Sequence, residues 1–169
     1  LDPEEVAAAV LGVARACREI GAALLGGETA ELPDLFAPGE FDLVGFGVGA
    51  VEEERKISSH AACEGDILIG LGSSGFHSNG FSLVRRIIRE QNIDLTQEYG
   101  LGEPLSALLL RPTMLYGPML SEELGAGRIR ALSHITGGGI PGNVPRMLAA
   151  GTGARLDQTA WEVPGVMAW

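Results

Sequence analysis

The chain has 169 residues, of which 46% are hydrophobic and 20% charged, as in a globular protein of one or two domains. Acidic residues outnumber basic ones 22 to 12, so the formal net charge is −10. Nucleic-acid binding needs basic surface that displaces counterions, so this balance argues against a nucleic-acid partner. Any anion site has to be local, built from backbone N–H groups and a few arginines.

Cysteine content and hydropathy indicate a cytoplasmic location. The two cysteines, Cys17 and Cys63, form no Cys-x-x-Cys pair and suggest no disulfide framework, which is typical of a reducing compartment. No apolar run approaches the length of a membrane span, and residues 1–12 lack the basic segment of a signal peptide. We therefore expect no membrane partner.

The first residues predict a helix. Asp2 is a good N-cap, Pro3 suits the first turn, and Glu5 completes a capping box with Asp2. Apolar residues recur three and four apart as far as Ile20, and Gly21 is a natural C-cap. One amphipathic helix over 3–20 is the expectation.

A glycine loop, 26–33, follows a short strand predicted over 22–25. Its glycines permit unusual dihedral angles or a close backbone approach, and Glu28, Thr29 and Glu31 follow directly. One interpretation is a turn with solvated acids. The other is a loop whose acids or backbone contact a ligand or its Mg²⁺, and the local residues leave both open.

Residues 41–51 predict a strand in which apolar residues alternate with three glycines, Gly45, Gly47 and Gly49. Glycines on one face weaken a strand, so we expect a helix or neighbouring backbone to pack there. The charged and polar connector 52–65 then places a domain boundary near Lys56, and His60 within it is interpreted as a surface histidine.

The stretch 66–90 combines a predicted strand at 66–71, a glycine-rich loop at 72–80 and a helix from Phe81. Strand, glycine loop and helix together direct backbone N–H groups at an anion. We therefore expect a phosphate-bearing small molecule to bind this loop. His77 lies in it and is either a proton-transfer group or a hydrogen-bonding strut, while Arg85 either reaches a phosphate or pairs with an acid.

The remaining sequence predicts helices over 104–110, 113–124 and 144–150 and strands over 129–132 and 153–158. Gly-Pro at 117–118 is expected to kink or break the second helix. A second glycine loop, 136–142, again follows a strand and precedes a helix. Two such loops, each with a hydroxyl and a histidine nearby, indicate contacts to different parts of one phosphorylated ligand.

Three stretches in this order resemble the phosphoribosylformylglycinamidine cyclo-ligase family, also called aminoimidazole ribonucleotide synthetases. They are GGETAELP at 26–33, DILIGLGSSGFHSNGFSLVR at 66–85 and HITGGGIPGNVPR at 134–146. The HSNG and TGGG loops together are the specific part. Neither fits the dinucleotide fingerprint or the P-loop, and neither loop contains lysine.

The resemblance implies an α+β fold, with residues 1–55 as the last part of an ATP-binding, dimerising N-terminal domain. Residues 56–169 would be most of the C-terminal domain, with the active site in a cleft between the two. The implied reaction is ATP-dependent ring closure of formylglycinamidine ribonucleotide to aminoimidazole ribonucleotide, in de novo purine biosynthesis. The implied cofactors are ATP and Mg²⁺, and the implied assembly is a homodimer.

Individual residues are assigned from the loops themselves and, for the stretch 26–31, from the resemblance. Substrate phosphate and ribose contacts are expected at Ser73, Ser74, Gly75, Ser78, Asn79, Gly80, Thr136, Gly137, Gly138 and Gly139. Nucleotide contacts are expected at Gly26, Gly27, Glu28 and Thr29, and His77 is the candidate catalytic residue. A tight turn capped by Asn79 is a simpler interpretation of the first loop, compatible with the assignment.

Family members carry a segment before this point with the acidic residues that hold Mg²⁺. We therefore expect the metal ligands outside the printed sequence and expect the isolated 169-residue chain to be inactive. Two alternatives remain: another ATP-using enzyme of the superfamily, such as formylglycinamidine ribonucleotide synthetase or a selenide or thiamine-phosphate kinase, and a non-catalytic dimerising fragment.

Overall fold

The computed structural model describes residues 2–168, which form helices joined by turns and extended segments. The α-helices of this range are α1 Pro3–Ile20, α2 Phe81–Gln91, α3 Leu105–Leu109, α4 Tyr116–Gly125, α5 Gly139–Asn143 and α6 Gly165–Ala168. Short 3₁₀ turns occur at Glu53–Arg55, Val144–Met147 and Gln158–Ala160. No described helix has the combination of length and apolar character required to cross a membrane.

The chain divides into two units. The first comprises Leu1–Arg55 and Leu115–Glu122, and the second comprises Lys56–Met114 and Glu123–Trp169. The assignment of residues 1–55 and 56–169 to the two domains of the family stays a prediction, and residues 1 and 169 lie outside the described residues.

Helix α1 forms where its terminal signals predict it. The Asp2 carboxylate accepts a 2.8 Å hydrogen bond from the Glu4 N–H, which satisfies one of the free donors at the helix start. Gly21 ends the helix with φ 73°, a left-handed conformation in which glycine is unstrained. Local capping chemistry thus accounts for both ends of α1.

The predicted strands are wrong for the described residues. Residues 22–25, 41–51, 66–71, 129–132 and 153–158 contain no β-ladder, and the pairing within 2–168 is one isolated parallel bridge between Ala62 and Leu148. A strand needs a hydrogen-bonded neighbour, and these segments find none in this range. The α+β class is therefore not confirmed.

Residues 41–51 show the consequence most clearly. Val44, Phe46 and Val48 are 91%, 94% and 87% exposed. The packing expected against the glycine face is absent as well, because a Cβ built on Gly45, Gly47 or Gly49 would have nothing within 4 Å.

The later helices follow the prediction with shifted boundaries. Helix α4 begins at Tyr116 rather than at residue 113, so Pro118 lies in the first turn. Proline is tolerated there because its missing N–H has no partner to lose, and no interior kink results. The helix predicted over 144–150 is replaced by α5 and the 3₁₀ turn Val144–Met147.

The buried residues belong to the second unit, among the residues described. They are Ala62, Leu105, Leu108, Leu109, Asn143 and Val144. Helix α3 supplies the three leucines, and Ala62 joins the chain near Leu148 through hydrogen bonds with Met147 and Ala149. His60 is exposed, yet its Nδ1 lies 2.8 Å from the Leu148 carbonyl oxygen, so it braces this junction rather than standing alone on the surface.

Candidate functional site

The loop 72–80 is fastened to the segment that follows helix α3. The Ser74 hydroxyl donates a 2.7 Å hydrogen bond to the Pro112 carbonyl oxygen and accepts a 3.0 Å bond from the Met114 N–H. A serine hydroxyl has one proton to donate, so the bond to Pro112 uses its donor. Ser74 therefore holds the loop in place, and a ligand would find this hydroxyl already engaged.

His77 braces the same loop from within. Its Nε2 accepts a 3.2 Å hydrogen bond from the Ser74 N–H and lies 3.1 Å from the Ser74 hydroxyl oxygen. An accepting Nε2 assigns the ring proton to Nδ1. His77 has φ 53°, a left-handed conformation uncommon outside glycine. These contacts support the strut interpretation, and a catalytic role for His77 stays a prediction.

The rest of the loop leads directly into helix α2. A Cβ on Gly75 would lie 3.5 Å from the Leu108 carbonyl oxygen, so the loop packs against the end of α3. Gly80, with φ 78°, is the N-cap of α2, so the alternative with Asn79 as cap is wrong. The Asn79 N–H instead closes a turn by donating to the Phe76 carbonyl oxygen at 3.2 Å.

A cavity of about 510 Å³ opens on the His77 side of the loop. We call it the arginine cavity, because its charged side chains are Arg85 from α2 and Arg111 from the segment after α3, and no acidic residue lines it. Its lining is completed by His77, Ser78, Phe81, Leu109, Leu110, Pro112 and Thr113.

A second cavity, of about 250 Å³, is lined by the beginning of the loop. We call it the serine cavity, and its lining residues are Ser73, Ser74, Gly75, Leu101, Glu103, Leu108, Arg111, Pro164, Gly165 and Val166. Arg111 reaches both cavities and forms an ion pair with Glu103. The loop 72–80 therefore lines two cavities, one with arginines and no acidic residue and one that also carries a carboxylate.

Arg111 is the site residue that sequence reasoning missed. In the sequence it follows an apolar run and precedes a proline, with no local pattern that marks a ligand contact. Only the packing of α3 against the loop brings it beside His77 and Ser78. The sequence leaves two roles open for Arg85, and among the residues described this side chain makes no ion pair.

The second glycine loop is stabilised by contacts of its own. The Asn143 side chain, 2% exposed, donates a 2.7 Å hydrogen bond to the Gly139 carbonyl oxygen and accepts one of 3.3 Å from the Thr136 hydroxyl. A Cβ on Gly138 would lie 3.3 Å from the Gly142 Cα. A side chain at 138 would therefore crowd the Gly142 backbone, so internal packing favours glycine there before any ligand is considered.

The structure does not bring the two glycine loops together at either cavity. Neither the arginine cavity nor the serine cavity is lined by a residue of 136–142. The expectation that both loops hold parts of one ligand thus finds no support in the cavities around loop 72–80.

The predicted nucleotide contacts lie in the first unit. Gly26, Gly27, Glu28 and Thr29 are exposed and adopt no helix or strand. A Cβ on Gly26 or Gly27 would meet nothing within 4 Å, so the chain's own packing does not demand glycine there. Among residues 2–168, no group of three or more His, Cys, Asp or Glu side chains is arranged to hold a metal ion.

Carboxylates with a lowered pKa occur away from the loops 72–80 and 136–142. Hydrogen bonds from Thr96 hold the pKa of Asp94 below its ordinary value, and those from Thr159 do the same to the pKa of Asp157. The hydrogen bond from Arg128 lowers the pKa of Glu123. These shifts report local turns and one surface ion pair rather than a ligand site.

Comparisons with known proteins give the family. Residues 64–168 match the model of AIR synthase related protein, C-terminal domain. The chain is 51% identical to a phosphoribosylformylglycinamidine cyclo-ligase of Geobacillus thermodenitrificans, across 95% of this chain and 47% of that protein. It is 46% identical to the enzyme of that name from Burkholderia pseudomallei, across 100% of this chain and 48% of that protein.

A eukaryotic relative carries the same segment within a longer protein. The trifunctional purine biosynthetic protein adenosine-3 of Bos taurus is 46% identical across the whole of this chain, which covers 17% of that protein. The chain therefore spans about half the length of the bacterial relatives and a smaller part of the bovine one. The resemblance carried by the three glycine-containing motifs is confirmed, and this chain belongs to the AIR synthase related family, whose C-terminal domain it contains.

Proposed function

We propose that this chain is part of a phosphoribosylformylglycinamidine cyclo-ligase and contributes the surface that holds the ribonucleotide. The observation that carries the proposal is an identity of 46–51% across 95–100% of the chain to bacterial proteins of that name. The reaction would be ATP-dependent ring closure of formylglycinamidine ribonucleotide to aminoimidazole ribonucleotide. These names favour the cyclo-ligase over the other superfamily activities.

The geometry supports a binding role for loop 72–80. Ser74 and His77 brace the loop against the Pro112 segment, so its backbone is ordered before a ligand arrives. A preorganised surface spends less binding energy on ordering, and holding the substrate in one pose favours the closure of a ring. We assign Ser78, Asn79 and Gly80 to ligand contact and Ser73, Ser74 and Gly75 to shaping the loop.

The proposed nucleotide site is the glycine loop 26–33. The open backbone of Gly26 and Gly27 suits close approach of a ligand, with Glu28 and Thr29 beside it. ATP bound there would supply the phosphoryl group that activates the formyl oxygen, with Mg²⁺ as the second cofactor. A homodimer and a cytoplasmic location complete the proposal.

A chimaeric enzyme tests the function. The matching segment of the Geobacillus thermodenitrificans relative is replaced by this chain, and ATP-dependent formation of aminoimidazole ribonucleotide is measured. We expect the chimaera to close the ring and the 169-residue chain alone to be inactive. A folded chimaera without ring closure would contradict the proposed function, and activity of the chain alone would contradict the expectation that this segment is inactive by itself.

The role of His77 is separated in the same chimaera by His77→Gln. The glutamine amide oxygen reaches about as far as Nε2 of the imidazole, so it can accept from the Ser74 N–H, but glutamine does not titrate near neutral pH. If His77 transfers a proton, the variant loses its rate and the corresponding limb of the pH profile. If His77 is a strut, the variant keeps both, and the catalytic assignment is wrong.

A further inference from the structure

We propose that His60 is a positioning residue that holds the glycine loop 136–142 in a fixed orientation to the glycine loop 72–80. Neither cavity described above is lined by both loops. The segments beside the loops are joined, however. We call residues 60–71, which lead into the first loop, the stem. The chain before the second loop and the chain after it are both attached to this stem.

The chain after the second loop is attached through His60 and Ala62. His60 Nδ1 lies 2.8 Å from the Leu148 carbonyl oxygen, which can only accept, so the neutral ring carries its proton on Nδ1. The Ala62 N–H donates to the Met147 carbonyl oxygen at 3.1 Å. The Ala62 carbonyl oxygen accepts from the Ala149 N–H at 2.9 Å. These hydrogen bonds fix the residues after the second loop on the stem.

His60 adopts a backbone conformation that histidine takes rarely. Its φ is 60°, in the left-handed region. This conformation is unfavourable for a residue with a Cβ and persists where the surrounding structure holds it. The contacts that hold it here are the side-chain bond to Leu148 and the neighbouring Ala62, which is 6% exposed.

The chain before the second loop is attached at another point of the stem. Arg130 Nε lies 3.6 Å from Asp66 Oδ1, and Asp66 is itself fixed because its Oδ2 accepts the Cys63 N–H at 2.8 Å. The Arg130 side chain is 63% exposed, so this ion pair alone contributes little. Together with the attachment at Leu148, it holds both ends of the second loop, and held ends restrict the conformations of a loop.

The orientation affects catalysis where both loops contact one substrate. This step rests on the proposed function, whereas the attachments rest on the hydrogen bonds and the ion pair. A substrate held by groups from two loops reacts when both are in register, because a small misplacement of positioning groups slows the reaction. We therefore expect His60 to act on turnover of the ribonucleotide only through Leu148 and the second loop.

Three substitutions of His60 separate the hydrogen bond from the backbone conformation. His60→Gly accepts the left-handed conformation but removes the donor. His60→Asn also tolerates this conformation, and its Nδ2 donates from about the position of Nδ1. His60→Ala suits neither requirement. Ser58→Ala, at an exposed position two residues earlier, is the matched control.

Amide exchange of the 169-residue chain measures the attachment itself. In His60→Gly and His60→Ala the Ala62 and Ala149 N–H groups should exchange about tenfold faster, because the neighbouring bond to Leu148 is lost. In His60→Asn and Ser58→Ala they should stay within about twofold of the parent. Nitrogen-15 NMR of the His60 ring should show Nδ1 protonated in the neutral form. Circular dichroism checks that each variant is folded.

Residual dipolar couplings measure the orientation of the second loop. Amides of helix α2, which follows the first loop, and of residues 139–147 should fit one common alignment in the parent chain. Arg130→Gln alone should keep it, since an exposed pair contributes little. Arg130→Gln combined with His60→Gly weakens both attachments, and the two groups of amides should then need separate alignments, more than the single changes add up to.

The chimaera tests the consequence for the reaction. His60→Gly should lower kcat/KM for the ribonucleotide about tenfold, and His60→Asn should stay within about twofold of the parent. The KM for ATP should change by less than about twofold in both variants, because the proposed nucleotide loop lies in the first unit. A general loss of folded protein would instead lower the rate without this difference between substrates.

The outcomes decide the proposal separately from the function. Unchanged exchange in folded His60→Gly, or His60→Asn behaving like His60→Gly, would overturn the attachment. Separate alignments in the parent, or one alignment in the folded double variant, would overturn the fixed orientation. Unchanged ribonucleotide kinetics of His60→Gly in an active chimaera would overturn the positioning role and leave the cyclo-ligase function standing. An inactive parent chimaera contradicts the function, while exchange and alignment still decide the attachment.

Discussion

The Ser74 hydroxyl donates a 2.7 Å hydrogen bond to the Pro112 carbonyl oxygen, 38 residues further along the chain. The same hydroxyl oxygen accepts the Met114 N–H at 3.0 Å. One side chain thus joins the glycine-rich loop to the segment that carries Arg111, and its two ends line the cavities beside the loop, Pro112 the arginine cavity and Ser74 the serine cavity.

Ser74→Ala should lower the free energy of unfolding by about 1–3 kcal/mol, because it leaves the Pro112 carbonyl and the Met114 N–H without this partner. Urea denaturation of the chain measures the change. Ser82→Ala, at an exposed position in the first turn of α2, is the matched control and should stay within about 0.5 kcal/mol of the parent. If the two variants are equally stable, the hydrogen bonds of the Ser74 hydroxyl do not stabilise the folded chain.

Substituting alanine for Gly137 or for Gly138, which are adjacent in the loop 136–142, should change the stability of the protein differently. A Cβ on Gly138 would lie 3.3 Å from the Gly142 Cα and 3.5 Å from Asn143 Nδ2, whereas one on Gly137 would meet nothing within 4 Å. Gly138→Ala should cost about 1–3 kcal/mol through overpacking. Gly137→Ala should be neutral or stabilise the protein by up to about 1 kcal/mol, by restricting the unfolded chain.

Thermal unfolding of the two alanine variants side by side gives the order of their stabilities. The expected order is Gly137→Ala at or above the parent and Gly138→Ala below it. A Gly138→Ala protein as stable as the Gly137→Ala protein would mean that helix α5 shifts freely to make room.

Asn143→Ala should destabilise the second loop more than Thr136→Ala. The first change removes a buried amide whose Nδ2 donates to the Gly139 carbonyl at 2.7 Å, and should cost about 1–3 kcal/mol. The second removes only the longer contact of 3.3 Å between the Thr136 hydroxyl and Asn143 Oδ1. Chemical denaturation compares the two, and a larger loss in Thr136→Ala would contradict the greater contribution expected of Asn143.

The turn at Asp94 should stabilise the protein in a pH-dependent way. Its carboxylate accepts hydrogen bonds from the Thr96 N–H at 2.9 Å, the Thr96 hydroxyl at 2.7 Å and Gln97 Nε2 at 3.3 Å. The bonds from Thr96 and then Gln97 lower the pKa of Asp94 from its ordinary value of 3.8. Because the folded pKa is the lower one, this contribution is complete above the ordinary value and disappears as the pH falls through the folded pKa.

Carbon-13 NMR titration of the Asp94 carboxyl measures this effect. Thr96→Val removes the hydroxyl donor and should raise the pKa of Asp94 toward its ordinary value. Asp157, which accepts the same two bonds from Thr159, is the internal control and should keep its lowered pKa. If the substitution leaves the Asp94 titration unchanged, the Thr96 hydroxyl is not a cause of the lowered pKa.

Local sequence signals were sufficient to predict helices α1 and α2 and to identify the family. Asp2, Pro3 and Gly21 mark the ends of α1 through bonds made within a few residues, so no distant contact is needed to place them. The HSNG and TGGG loops identified the family because their glycines and polar residues occur in one order along the chain.

Whether a segment forms a strand could not be predicted from local sequence in the same way. Alternating residues over 41–51 describe a side-chain pattern, but a strand also requires a neighbour for its N–H and C=O groups. Such a neighbour is a property of chain segments far apart or outside the sequence, and residues 2–168 provide none for this segment.

Only the tertiary structure decided the character of the candidate site. The sequence placed serines, histidine and glycines in one loop and so indicated an anion. The packing of that loop on α3 engaged the Ser74 hydroxyl and brought Arg85 and Arg111 to one cavity. Charge and donor geometry depend on which groups meet in space, and residues 26 positions apart meet only when the chain folds.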